Sequence, residues 1–161
     1  MSRPVLLLLL LLAIGCGPST AELRTAKAAT YTANPTQLFK LAGEAVQNEH
    51  YKIADVDAEG LVFMTKPTFY GPEGDLQSQG AEGWVKTDNH SVQVAFVVRV
   101  VETDEHKAMV TVTPRTFQLI SGSPQPRELK PDDPNLPTFV TGRADALAMA
   151  IYEYAKPYLA K

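Results

Sequence analysis

The sequence predicts a two-layer α+β domain in which an antiparallel sheet of about four or five strands is covered by an N-terminal and a C-terminal helix. Three observations lead there. Leu38, Leu41, Ala42, Ala45 and Val46 fall at helical spacing, and Val92, Val94, Phe96, Val98 and Val100 recur at the period of a strand. Val140, Ala144, Leu147, Ile151, Tyr154 and Tyr158 return to helical spacing. A sheet with one apolar face must be covered, and two helices with single apolar stripes are suited to cover it.

Order is predicted to begin at Asn34. Asn34, Pro35, Thr36 and Gln37 supply an N-cap, a proline at the first helical position and a capping-box partner. The result is an amphipathic helix from about Pro35 to Asn48, with Lys40, Glu44 and Gln47 outward. Tyr51 to Asp57 and Leu61 to Lys66 read as a hairpin across Ala58, Glu59 and Gly60. Pro67 to Gly83, rich in Gly and Pro, reads as a long loop or a bent edge strand. Val92 to Val101 and Ala108 to Pro114 make a second hairpin around the polar Thr103 to His106. Five prolines between Ser121 and Pro137 argue against a regular element there. The closing helix is expected to be capped by Thr138 and to end or kink just before Pro157.

Composition narrows the function classes. A formal charge of -3, from 15 basic and 18 acidic residues, lacks the basic footprint of nucleic-acid binding. One cysteine excludes an internal disulfide, and three isolated histidines offer no zinc spacing, so no metal or cofactor is expected.

The start of the chain is the most specific segment. After Met1, Ser2 and Arg3 comes an apolar run from Val5 to Ile14, ten residues long, short of the ~20 that a membrane-spanning helix needs. A basic start and a short apolar core are the layout of an export signal. Ala13, Ile14, Gly15 and Cys16 then resemble the lipobox of bacterial lipoproteins, with Ala13 where Leu is commonest. The resemblance implies that the Cys16 thiol takes a diacylglycerol and that a signal peptidase cuts after Gly15. A thiol is nucleophilic enough to form that thioether. Gly17 in place of Asp implies sorting to the outer membrane, facing the periplasm of a Gram-negative envelope.

The expected organisation is a signal peptide over 1–15, a lipidated flexible tether over 16–33 and one α+β domain over 34–161. The tether is small and polar, with a reach of roughly 20 to 25 Å, and a helix over Glu22 to Ala29 would have no apolar stripe to bury. The order helix, two hairpins, helix on such a tether, together with Tyr51, Asp57 and Gly60, resembles the helix-grip domains of the C subunit of the outer-membrane protein assembly machine and of many small bacterial lipoproteins. No functional residue is carried over from that resemblance.

Within the domain, Phe69 and Tyr70 beside Gly71 and Pro72, and the lone Trp84, are candidate partner-binding aromatics. The alternative is a loop that folds its own rings onto the sheet. His90 with Asp88 and Glu82 reads as a solvated turn rather than a general base and its orienter. His50 closes the first helix, His106 tops a hairpin, and Asp132 and Asp133 read as turn residues, lacking the ligand pattern of a calcium loop. Tyr152, Tyr154 and Tyr158 read as partly buried rings with wet hydroxyls. The expected function is that of a non-catalytic, outer-membrane-anchored lipoprotein, held to the membrane by lipid on Cys16 and binding a protein partner. The alternative is a binder of a small apolar molecule or lipid, which calls for a cavity of several hundred Å³ between the C-terminal helix and the sheet. An enzyme is disfavoured because no nucleophile, base and stabiliser converge in the sequence.

Overall fold

The computed structural model describes residues 18–77, 91–104, 106–118, 120 and 125–160. The described elements are three α-helices, α1 (Thr20–Ala28), α2 (Pro35–Asn48) and α3 (Thr138–Ala155), a 3-10 turn (Lys156–Tyr158) and six strands. The strands are β1 (Ile53–Asp57), β2 (Val62–Thr65), β3 (Thr68–Tyr70), β4 (Val92–Asp104), β5 (Lys107–Gln118) and β6 (Arg127–Leu129). All pair antiparallel in the order β1-β2-β4-β5-β6, and β3 follows β2 along the same edge of β4. The architecture is the α+β one that the sequence predicts, with β3 and β6 as short additions.

The β4–β5 hairpin is the spine of the sheet, turning at His106 with φ of 74°. Pro114 does not end β5 as expected. It lies opposite Phe96, whose N–H points the other way and donates to Thr65 Oγ1 at 2.9 Å. Facing residues whose N–H groups point outward make a non-hydrogen-bonded pair, so the ladder toward β4 needs no donor from residue 114. On its other side β5 meets β6 only at Thr116 to Gln118.

Of the two readings open for Pro67 to Gly83, the strand holds for Thr68–Tyr70, and the proline-rich segment, expected to be irregular, holds a strand at Arg127–Leu129. After β2, Lys66 and Pro67 interrupt the pairing and the chain rejoins β4 as β3, with Thr68 opposite Val94. The buried Thr65 hydroxyl takes the Phe96 N–H left over at that jog. In the proline-rich segment, Pro126 and Pro131 flank β6 rather than interrupt it, which an edge strand tolerates.

α2 begins and ends where predicted, and its Thr36 N–H donates to Asn34 Oδ1 at 2.9 Å. Gln37 does not close a capping box; its amide donates to the Tyr158 hydroxyl at 3.0 Å. In α3 the N-cap is Pro137 and Thr138 is the first helical residue, with no side-chain cap. The buried stripe of α3 runs through Val140, Ala144, Leu147 and Ile151 to Ala155, not to Tyr154. Tyr154 is 41% exposed and its hydroxyl accepts from Asn48 Nδ2 at 3.1 Å, tying α3 to α2. A step of four from Ile151 reaches a small residue, which lets the helix end close against Tyr31 and Leu38.

α2 and α3 cover Phe63, Val92, Val94, Phe96 and Val98, all on one face of the sheet. Leu147 and Ile151 are buried at the centre of that contact. Leu147→Ala or Ile151→Ala is expected to cost about 2–5 kcal/mol in chemical denaturation, from lost transfer energy and the cavity left behind. Values within ~0.5 kcal/mol of the unaltered protein would mean that α3 does not close the core.

The described part of the expected tether is folded. Ser19 and Glu22 form a capping box for α1: Glu22 N–H donates to Ser19 Oγ at 3.2 Å and Ser19 N–H to Glu22 Oε2 at 2.7 Å. Ser19 Oγ also donates to Glu22 Oε2 at 2.7 Å, and this bond, with the one from Ser19 N–H, holds the Glu22 carboxyl below its usual range. α1 docks through the buried Ala26 and a Lys27–Asp145 ion pair to α3, not through an apolar stripe. Tyr31 follows in extended conformation, bridging Ala108 on one side and Leu159 on the other, with its ring in a second cluster beside Leu38, Val100 and Ala155.

Candidate functional site

Cys16, Gly15 and Trp84, together with Glu82, Asp88 and His90, lie outside the described residues. Phe69 and Tyr70 are adjacent on β3 and so point to opposite faces of the sheet. Tyr70 is 2% exposed, with its ring 5.5 Å from that of Phe139 and the Arg143 guanidinium 4.5 Å from its centroid. Burial, with a smaller contribution from Tyr51, pushes its hydroxyl pKa up against the opposing pull of Arg143. As a partner anchor Tyr70 is therefore corrected: it packs on its own fold.

The turn after β3 holds this arrangement. Arg143 Nη2 donates to the Gly74 carbonyl at 2.9 Å. Gly74 has φ of +84°, and a Cβ there would lie 2.8 Å from the Phe139 ring, so a glycine is required on both counts.

Phe69 belongs to the other face, opposite Gln93. The alternation of β4 puts Ala95, Val97 and Val101 on that face, and the register adds Met64 from β2 and Met109 and Phe117 from β5. Ala95 is buried there, Phe69, Met64, Val97, Met109 and Phe117 are partly buried, and none of these residues belongs to either core cluster. Arg115 crosses the face, stacking 5.1 Å from the Phe117 centroid and donating from Nε to Glu128 Oε1 at 2.9 Å. The arrangement is a half-buried apolar centre with a charged border, which suits contact with another macromolecule. Met64, Val97 and Phe117 escape sequence reading because cross-strand register, not spacing along the chain, brings them beside Phe69.

Between α3 and the β5–β6 side of the sheet lies a cavity of about 180 Å³. Val112, Pro114, Leu129, Leu136 and Ala144 give it an apolar wall, and Lys27 and Asp145 also line it. Thr116 is buried there, with no hydrogen-bond partner for Oγ1 among the described residues. The only sequence signal for this site is the inward parity that Thr116 shares with Val110 and Val112. The volume falls short of the several hundred Å³ that the ligand-binding alternative calls for, although an apolar cavity of about 150 Å³ holds benzene.

The remaining candidates are dispersed. His50 ends α2 with φ of 66°, and His106 sits in the β4–β5 turn. Asp133 accepts from Asn135 N–H at 2.9 Å and pairs with Arg127, and these bonds hold its carboxyl below the usual range. That is turn chemistry, as expected. Among the described residues no group of three or more His, Cys, Asp and Glu side chains is placed to hold a metal ion. No described helix is long and apolar enough to cross a membrane. No protein-family model matches the chain, and no curated protein matches it in sequence.

Proposed function

We propose that this protein is a non-catalytic lipoprotein, held in the outer membrane by lipid on Cys16 and facing the periplasm, where it binds a protein partner. What supports the binding role is the sheet face around Phe69, Val97 and Phe117, because partly buried apolar side chains that belong to neither described core cluster are a common mark of a partner surface. What supports the anchor is the lipobox-like run ending at Cys16. The test is recovery of a co-purifying envelope protein with the native, lipidated chain. Phe69→Ala is expected to abolish recovery and leave the melting temperature unchanged within about 2 °C, since removal of one central aromatic can carry most of a contact. Tyr70→Ala is expected to lower the melting temperature, with recovery falling only in step with the folded fraction. Undiminished recovery by folded Phe69→Ala protein would remove this face from the reading.

A second reading, binding of a small apolar molecule between helix and sheet, draws support from the Thr116 cavity. A ring-sized guest such as toluene is expected to raise the melting temperature of the unaltered protein and not of Ala144→Leu, which fills the space.

A further inference from the structure

We propose that the cleft between the start of β1, the end of β2 and α3 is a binding site for a phosphate group carried on an organic body. The cleft has a volume of about 270 Å³, and His50, Lys52, Lys66 and Arg143 all line it, with Glu49 the one acidic residue among the described residues that line it. Such a concentration of Lys and Arg, at Lys52, Lys66 and Arg143, runs against a chain whose formal charge is -3.

The backbone enforces the crowding. Lys66 N–H donates to the Lys52 carbonyl at 2.6 Å, so the two lysines stand across from each other where β1 and β2 begin to pair. Like charges at facing positions of a strand pair destabilise it. Neither lysine, nor Arg143, forms an ion pair with another described residue, although the chain forms ion pairs elsewhere at Arg115, Arg127 and Lys156. An anion between these side chains would turn that repulsion into attraction.

The third cation is positioned in advance. Arg143 comes from α3, donates through Nη2 to the Gly74 carbonyl and stacks over Tyr70, which leaves its other donors for a ligand. Cations from a helix and from β-strand ends approach from different directions, and the His50 imidazole lines the cleft beside them. That geometry suits the three oxygens of a phosphate better than a planar carboxylate, which one arginine fork can satisfy. Thr68 also lines the cleft, with its hydroxyl donating to the Lys66 carbonyl at 3.3 Å. Tyr51 and Leu76, the latter 69% exposed, offer apolar surface to the body that carries the phosphate.

The site shares no residue with the Thr116 cavity and does not use the Phe69 face, so it stands or falls apart from both readings above. Two sources have this chemistry: a soluble phosphate ester and a phospholipid headgroup. The chain is titrated with phenyl phosphate while the backbone amide resonances of Lys52, Lys66 and Thr68 are followed, and with vesicles of phosphatidylglycerol or of phosphatidylcholine in a separate arm. Phenyl phosphate is expected to shift those resonances to saturation and to raise the melting temperature, with both effects weakening as salt is added. Lys66→Gln is expected to weaken binding about tenfold or more, the worth of one charged hydrogen bond. The same change raises the melting temperature in the absence of phosphate by relieving the lysine pair, whereas Lys156→Gln, on a lysine paired with Glu153, leaves binding unchanged. Saturable phenyl phosphate binding without preference for phosphatidylglycerol vesicles supports the soluble source. Preference for phosphatidylglycerol over phosphatidylcholine that is lost in Lys66→Gln supports the headgroup. The proposal is overturned if neither probe engages the cleft, or if Lys66→Gln and Lys52→Gln bind phenyl phosphate as tightly as the unaltered chain.

Discussion

Tyr31→Ala is expected to lower the unfolding free energy by about 3–5 kcal/mol, the range for truncating a large buried aromatic ring. Tyr31 is among the largest fully buried side chains, in a segment whose composition gives no warning of it. Its ring fills the cluster of Leu38, Val100, Ala108 and Ala155. Its N–H donates to the Ala108 carbonyl at 2.8 Å and its carbonyl accepts from Ala108 N–H at 3.0 Å. Removal of the ring opens a cavity under the ends of α2 and α3, and chemical denaturation reads the loss directly. A chain beginning at Asn34 lacks Tyr31 altogether and is expected to be destabilised to at least the same degree. A Tyr31→Ala loss below ~0.5 kcal/mol would return residues 18–33 to the status of a tether.

The same residue gives a pH signature. Burial, with a smaller contribution from Tyr152, pushes the Tyr31 hydroxyl from 10.0 up to about 12. The folded chain therefore keeps a proton that the unfolded chain releases above about pH 10. The associated stability is fully present below that pH and is lost as pH rises toward about 12. Tyr70, also raised by burial, adds in the same direction. Tyr31→Phe keeps the ring and removes the proton, so its denaturation midpoint is expected to fall less between about pH 9 and about pH 11 than that of the unaltered protein. Parallel declines in the two proteins would rule out Tyr31 as a source.

Cys16→Ser is expected to abolish incorporation of a fatty-acid probe and to leave an uncleaved or soluble precursor. A serine hydroxyl is far less ionised than a thiol at neutral pH and is a correspondingly poor nucleophile for thioether formation. Equal labelling of the two chains would refute the lipoprotein reading, and fractionation of the same cells would show whether the anchor accounts for membrane residence.

The sequence was most legible where a periodic apolar pattern coincided with local stop signals. Asn34 and Pro35 mark the start of α2, and the alternation from Val92 to Val100 marks β4, because burial on one side of a regular element leaves its period in the residues. Legibility failed where stability comes from pairing rather than burial. α1 holds on through one alanine, a capping box and an ion pair. β3 and β6 are each three residues long and owe their conformation to the strands beside them. Gly and Pro around Tyr70 left a loop and a bent edge strand both open, and Gly74 makes the turn that lets Arg143 and Phe139 enclose the ring. Of the candidate anchors, Phe69 and Tyr70 could not be told apart by type, since only strand parity sends one outward and the other in. The cationic cleft was invisible for a similar reason, as Lys52, Lys66 and Arg143 are separated along the chain and meet only through the fold.

The docking of α1 also changes how a lipidated form of this protein would travel. Only Gly17 and Pro18 separate Cys16 from the Ser19 cap, and three residue steps span at most about 10–11 Å. A domain on so short a lead moves with its lipid in the plane of the bilayer and has little freedom to tumble or to sweep out depth. If the lipid is present, its search for a partner would be two-dimensional: collision frequency would be set by lateral diffusion and by the number of partners per unit of membrane area, not by their concentration in solution. A partner that is itself embedded in the membrane would meet the same side of the domain at each encounter, whereas one free in the periplasm would have to approach within a domain's thickness of the headgroups.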